Sequence, residues 1–375
     1  MITDTRNGRP GVAAVTFDPR GGGIAAVSRL VAGALTTADG QPPVQLSLAL
    51  DAGDGRFDSS TLDRLRFGAR VLAAQATGAC EWLLFTHLSL ATAQRFVPAI
   101  CRRPYAVFLH DVEAWQTQPP ARRRVLDRAF LRLANSTYTA RRVLEANPGV
   151  GDVIACPLAL GPDWTSRAST EVARAQPPRP HVLIVGRMIA SERYKGHDQL
   201  LAAWPRVRQR VPAAKLICVG EGDDVERLRS AARKIGVGDA VEFTGFVSDE
   251  ERWRLYREAA VFAMPSRREG FGLVYLEAMA AGLPCIGSIH DAASEVIVDG
   301  RTGWLVDQSD TNALADRIVH LLSDEPERAA MGDAGRRRFL AQFTFDAFQS
   351  RLTSALASSA PAGQGVSLGV RPQGL

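Results

Sequence analysis

The amino-acid sequence predicts an α/β protein made of two doubly wound, parallel-sheet domains, and three observations predict it. Short apolar runs alternate with helix-length segments from residue 12 to residue 306, the order that parallel strands joined by crossover helices require. The alternation breaks once, between residues 162 and 180, where four prolines sit among polar residues without periodicity. At 375 residues the chain also exceeds one ordinary core and suits two. The expected division is a first Rossmann-like domain over 1–163, a linker over 164–180 and a second Rossmann-like domain over 181–343.

The first strand is expected over residues 12–17, followed by Asp18, Pro19, Arg20 and the triplet Gly21, Gly22, Gly23, then by a helix over 24–35. Strand, glycine turn and helix is a phosphate-facing arrangement, but G-G-G lacks the G-x-G-x-x-G spacing and reads equally well as a flexible turn. Further strands are expected at 44–50, 82–86 and 104–109, with a helix over 59–76. The last two strands end at His87 and at His110 with Asp111. Ligands of open α/β sheets bind beyond the carboxyl ends of strands, so Gly22, His87 and His110 fall on the side where chemistry is expected. His110, in H-D-V-E-A-W, is the candidate, because a loop histidine directly after a buried strand needs no core role; His87 reads as structural. Arg122, Arg123, Arg124, Arg128 and Arg132 interleave with Val125, Leu126, Phe130 and Leu131 as one basic amphipathic helix. Such a face is either merely solvated or a contact for an anionic membrane surface. L-A-N-S-T-Y-T at 133–139 reads as a short strand and a helix start.

After the break the pattern restarts with a strand at 181–185, a loop holding Gly186 and Arg187, the run S-E-R-Y-K-G, and a helix from His197 that Pro205 should kink or interrupt. A strand at 215–219, a helix over 223–235 and a strand at 241–244 follow, then a loop with Phe246 and Val247, a helix from Asp249 and a strand at 260–264. Past residue 288 the reading is a strand at 295–298, a D-G-R-T-G turn, a strand at 304–306, helices over 311–323 and 326–343, and an amphipathic helix over 345–357. Residues 358–375, rich in Ala, Gly, Pro and Ser, have little to bury and are expected to be disordered.

The chemistry concentrates at 265–288, P-S-R-R-E-G-F-G-L-V-Y-L-E-A-M-A-A-G-L-P-C-I-G-S. Gly270 and Gly272 form a turn that feeds a helix of good helix formers beginning at Leu273, and Gly282 with Pro284 stops it. Free N–H groups and the helix dipole favour an anion, above all a phosphate, in front of Gly272. Glu269 and Glu277 flank that spot; carboxylates repel phosphate but accept hydrogen bonds from hydroxyls. Phosphate in the middle with polyols on both sides describes a nucleotide sugar. Arg187 and Lys195 follow the first strand of the second domain on the same crevice side, where they can neutralise a diphosphate leaving group. With no D-x-D run near the crevice, no metal and no other cofactor is expected.

Composition sets the remaining bounds. Apolar residues at 46% and charged residues at 23% are those of a globular protein. The apolar runs fall far short of the roughly 18 residues a spanning helix needs, and the first ten residues have no secretory core. The five cysteines lie far apart without a C-x-x-C pair and read as reduced thiols of a cytoplasmic protein. A net charge of +5 and a pI near 9.2 make anionic partners plausible, a nucleotide diphosphate, an acidic membrane surface or nucleic acid, of which the last is not expected here.

The segments G-R-M-I-A-S-E-R-Y-K-G-H, V-E-F-T-G-F-V-S-D-E, the 265–288 stretch and E-V-I-V-D-G-R-T-G-W-L-V, in that order, resemble family 4 glycosyltransferases of the GT-B fold, which are retaining enzymes using nucleotide-diphosphate sugars. The first domain agrees through Gly21 to Gly23, H-D-V-E-A-W and A-N-S-T-Y-T. The resemblance implies two Rossmann-like domains facing across a cleft, the first on the acceptor side and the second binding the donor. It also implies a final helix, 344–357, that crosses back onto the first domain. By the same resemblance Glu269 binds donor-sugar hydroxyls, Glu277 the ribose, and the amides of Gly270, Phe271, Gly272 and Leu273 the phosphates. Arg187 and Lys195 then hold the diphosphate, Phe246 and Val247 cover the base, and Gly22 and Gly23 approach the phosphates. His110 corresponds to a histidine near the transferring sugar and counts, with Glu269, as a catalytic candidate. Where many relatives have a Gly-Gly-x-Pro-Glu turn, this chain has H-D-A-A-S-E, His290 to Glu295, with Glu295 as the counterpart of the Glu. The expected donor is GDP-mannose or a UDP-sugar, and the expected acceptor a glycan or a lipid-linked molecule at the cytoplasmic membrane face. An epimerase or phosphorylase on the same fold, or an idle nucleotide-sugar-binding protein, are the alternatives.

Overall fold

The computed structural model of the chain describes residues 9–37, 39–49, 60–170 and 179–359. The chain divides into two compact units, Met1–Leu158 with Phe345–Leu375, and Ala159–Thr344. The tail expected to be disordered lies almost wholly outside the described residues, as does most of the linker beyond residue 170.

The first unit holds one sheet of six strands: β1 (Pro10–Ala14), β2 (Val44–Ser47), β3 (Trp82–Phe85), β4 (Tyr105–Leu109), β5 (Leu131–Ala134) and β6 (Ile154–Ala155), in the order β2-β1-β3-β4-β5-β6. All pairs are parallel, with Val12 opposite both Gln45 and Leu84, and Phe108 opposite Leu133. These central strands are buried on both faces, which is why they read as continuous apolar runs instead of alternating ones. The strand order reverses at β1, so the loops after β1 and β3 diverge from the carboxyl edge at a topological switch point. The helix Phe345–Ser359 belongs to this unit: Phe348 stacks on Phe108 with ring centroids 6.4 Å apart, and Arg351 donates to the carbonyl of Pro157.

The second unit repeats the plan with β7 (His181–Val185), β8 (Lys215–Val219), β9 (Val241–Gly245), β10 (Val261–Ala263), β11 (Cys285–Ser288) and β12 (Gly303–Val306), ordered β12-β11-β10-β7-β8-β9 and again wholly parallel. Here the switch point lies between β7 and β10, where Val182 faces Val261.

Four local expectations differ from the structure. The basic helix is shorter than the arginine run: it spans Pro120–Arg128, and Arg132 sits on β5, where it donates to the carbonyls of Leu126 and Asp127 and so closes the helix end. Pairing with β4 wins over the helical spacing of the arginines. Pro162–Thr170, expected as linker, is a helix whose Trp164 packs edge-on against Trp253 and Tyr256. The β-branched run expected as a strand at 295–298 is instead entered by the helix Ala293–Val296, because Asp291 accepts from Ala293 N–H and winds the turn. Pro205 lies inside the helix His197–Arg210 without ending it.

Candidate functional site

Two loops leave the switch point of the second unit. The loop after β7 carries Arg187, Glu192 and Lys195; the loop after β10 carries residues 265–272. A backbone bond from Arg267 N–H to Tyr194 C=O, 3.0 Å, ties them together. Among the basic residues of the first loop, Arg193 is committed elsewhere. Its guanidinium forks onto Asp224, which also takes Arg227, and the two cations hold that carboxyl well below the usual carboxylate range. Arg187 and Lys195 share another partner. Glu192 accepts the ion pair of Arg187 on Oε1, and Lys195 Nζ stands 3.0 Å from its Oε2.

Glu269 opens the second loop. Burial raises its carboxyl above the usual range, while Lys195 beside it and the N–H groups of Phe271 and Gly272 pull the other way. Its main chain is fixed by the turn after β11: Glu269 N–H donates to Asp291 Oδ2 at 3.2 Å, and Ala292 N–H donates to Glu269 C=O at 3.1 Å. The Phe271 side chain is buried against Phe343 and is closed to a ligand. Gly272 caps the helix Leu273–Ala280 with φ of 87°, and a Cβ there would lie 2.4 Å from the Tyr275 ring. No other residue fits that position, and no side chain of the N-cap closes the helix start.

Glu277, one turn into the same helix, accepts the Tyr256 hydroxyl at 3.0 Å and pairs with Arg252 at 3.2 Å. Burial pushes its carboxyl up, and Arg252 opposes that. The Arg252 guanidinium lies over the Trp164 ring, so the helix Pro162–Thr170 backs this pair. Phe246 and Val247 follow β9 on the same carboxyl edge of the sheet; Phe246 is 69% exposed, an apolar face with nothing over it in this unit.

In the first unit Gly22 and Gly23 begin the helix Gly22–Ala34; Gly22 has φ of 61°, and a Cβ on either would meet nothing within 4 Å, so the turn is open on its outer side. His110 follows β4. Its Nε2 is buried without a hydrogen-bond partner, its ring lies 4.7 Å from Phe108, and its pKa is pushed down to about 3, first by burial and then by His87. It is a neutral imidazole. His87 is held by Glu113 at 3.0 Å and by Ser89 at 2.7 Å and caps the short helix after β3.

The structure thus brings Arg187, Lys195, Glu269 and the residues from Gly270 to Leu273 to one switch point, with Glu277 one helical turn behind. Sequence reasoning missed Glu192 and Asp291. Glu192 falls within S-E-R-Y-K-G, which carries no spacing signal, whereas Asp291 falls within H-D-A-A-S-E, the departure from a glycine turn.

The model of the family "Glycosyl transferases group 1" matches residues 167–338. A GDP-mannose-dependent alpha-(1-6)-phosphatidylinositol monomannoside mannosyltransferase of Mycobacterium tuberculosis is 35% identical over 262 residues, 66% of this chain and 67% of that protein. Its counterpart in Mycolicibacterium smegmatis is 34% identical over 275 residues, 68% and 70% of the two chains. Among solved structures, Anabaena HepE in complex with UDP superposes with a TM-score of 0.73 at 19% identity, covering 93% of this chain and 100% of that one. Sucrose-phosphate synthase from Thermosynechococcus elongatus does so with 0.74 at 20%, covering 93% and 98%. The chain therefore belongs to the group 1 glycosyl transferases, family 4 in type and GT-B in fold.

Proposed function

We propose that this glycosyltransferase moves mannose from GDP-mannose to a lipid-linked, inositol-type acceptor with retention of anomeric configuration. The observation that carries the donor half is the pairing of Arg187 and Lys195 at the switch point with the helix start at Gly272. In this reading the two cations and the N–H groups from Gly270 to Leu273 bind the diphosphate. Glu269 accepts sugar hydroxyls, Glu277 the ribose hydroxyls, and Phe246 with Val247 lies against the base. The bond from the anomeric carbon to the β-phosphate oxygen breaks and one to the acceptor oxygen forms on the same face. The acceptor's proton passes to the departing phosphate, whose charge Arg187 and Lys195 stabilise. His110, being neutral, can offer a hydrogen bond but no net charge.

The names of the mycobacterial relatives support GDP-mannose and a phosphatidylinositol mannoside. Peripheral contact with an anionic lipid surface belongs to the same reading. No described helix is long and apolar enough to cross a membrane. Phe96 and Ile100 are nevertheless 77% and 95% exposed, in a segment flanked by Arg95, Arg102 and Arg103. Arg102 and Arg128 both lie near Tyr105, which places this segment beside the helix Pro120–Arg128. Incubating the protein with GDP-mannose or UDP-glucose and phosphatidylinositol mannoside tests the proposal. Mannosylated lipid with an α linkage from GDP-mannose supports it; product from UDP-glucose alone, sugar phosphate released by added phosphate, or epimerised donor without acceptor would sink it.

A further inference from the structure

Asp291 stands where the resembling sequences place the first glycine of a Gly-Gly-x-Pro-Glu turn, and it is 1% exposed. A carboxylate so buried persists only when its oxygens are satisfied. Its Oδ2 accepts from the Ser266 hydroxyl and from Glu269 N–H at 3.2 Å, and its Oδ1 accepts from Ala293 N–H at 3.0 Å. Since Ala292 N–H returns a bond to Glu269 C=O, both main-chain polar groups of Glu269 are tied to this turn. A glycine turn could supply the second of these links but not the first.

We propose that Asp291 is a positioning residue for the sugar moiety of the donor: it clamps the main chain of Glu269 and thereby aims the Glu269 carboxylate. The inference rests on the reading of Glu269 as the sugar-hydroxyl contact. It also predicts a division of labour. Glu277 is held by Arg252 and Tyr256, neither of which bonds to Asp291. A disturbance at Asp291 therefore reaches the sugar and leaves the nucleotide. Glu269 and Tyr275 are the titratable groups facing Asp291, and Lys195 faces Glu269 from the loop after β7.

Asp291→Gly, Asp291→Asn and Ser266→Ala test this, with kcat/KM measured for GDP-mannose and Kd measured for GDP by calorimetry. Asp291→Gly is expected to lower kcat/KM about tenfold or more, the worth of a charge-assisted hydrogen bond, and Ser266→Ala about threefold. GDP affinity should stay within about twofold of wild type in all three. Parallel losses of kcat/KM and GDP affinity would overturn the proposal in favour of a general structural role, and so would an unchanged kcat/KM in Asp291→Gly. Should Asp291→Gly fail to fold, Ser266→Ala carries the same test, since it removes one hydroxyl from the same carboxylate. Glu269→Gln, run alongside, separates the two claims. Undiminished transfer there overturns the role of Glu269 itself, whereas loss there with intact Asp291→Gly overturns only the positioning.

Discussion

Lys195 Nζ lies 3.0 Å from Glu192 Oε2, so a cation assigned to the diphosphate is already paired before any ligand arrives. Because Arg187 pairs with the same carboxylate, Glu192 holds both cations in the ligand's absence and opposes the ligand's charge in its presence. Glu192→Gln is expected to tighten GDP binding roughly fivefold, the scale of one like charge removed from a partly solvated site, and Lys195→Ala to weaken it at least tenfold. Calorimetry at two salt concentrations checks both. Equal affinities in wild type and Glu192→Gln would contradict the assignment.

Glu277, proposed as the ribose contact, also holds a buried ion pair. Removing it as Glu277→Ala leaves the mostly buried Arg252 with only the exposed Asp249 as partner, at 2.9 Å, and leaves the Tyr256 hydroxyl only the carbonyl of Val274 at 3.4 Å. Arg252 keeps some exposure, so the expected cost is roughly 2 kcal/mol rather than that of a wholly dry pair. Glu277→Gln, which keeps the shape and one acceptor, should lose less stability and still weaken nucleotide binding. Denaturant midpoints set beside GDP affinities would show whether the two effects separate.

Gly272→Ala has no tolerated geometry. The backbone is left-handed and the new Cβ would meet the Tyr275 ring, which is itself anchored by its hydroxyl to Met264 C=O at 2.5 Å. A loss of about 2 kcal/mol or more and a collapse of GDP affinity are expected. Gly68→Ala, in the helix Thr61–Ala76, is the control, because its Cβ would meet nothing within 4 Å and no ligand contact is assigned there. Full GDP affinity in Gly272→Ala would refute the helix start as the phosphate site.

Acid stability should follow the buried histidines. Burial holds His110 at about 3 and His197 at about 4, both below the unfolded value near 6.5. The unfolded chain takes up those protons first, so their contribution is present above pH ~6.5 and is lost as pH falls toward the folded values, by up to about 1.4 kcal/mol per pH unit for each. Asp291, raised to about 7, acts in the opposite sense: the folded state holds its proton longer, and stability falls as pH rises from about 4 to 7. Melting temperatures across pH 4 to 8 should therefore show a shallower acid limb in His110→Asn, and a steeper rise between pH 4 and 7 in Asp291→Asn. In neither variant should the acid limb match wild type.

Membrane contact is tested on vesicles of phosphatidylcholine with and without phosphatidylglycerol. Binding should require the anionic lipid, fall with salt, and weaken at least tenfold in the double variant Phe96→Ser, Ile100→Ser. Binding indifferent to both changes would remove this surface from the reading.

Much of the fold was legible because parallel strands buried on both faces must be short, apolar and evenly interrupted; the runs at β4, β7 and β8 admit little else. The helix start at Gly272 was legible too, since glycine before good helix formers has a local cause. The helix Ala293–Val296 and the split of the arginine run were not, because Asp291 and β4 decide them through partners distant in sequence.

The same division holds for the site. The sequence alone determined which residue types could meet a phosphate and flank it with hydroxyl acceptors, since Glu269, Gly272 and Glu277 lie within one loop and helix. Tertiary structure alone decided which cations are available. Arg193, between Arg187 and Lys195 in the chain, is drawn off by Asp224, while its two neighbours converge on Glu192. Charge is a property of composition, but its availability depends on which opposite charge the fold sets beside it.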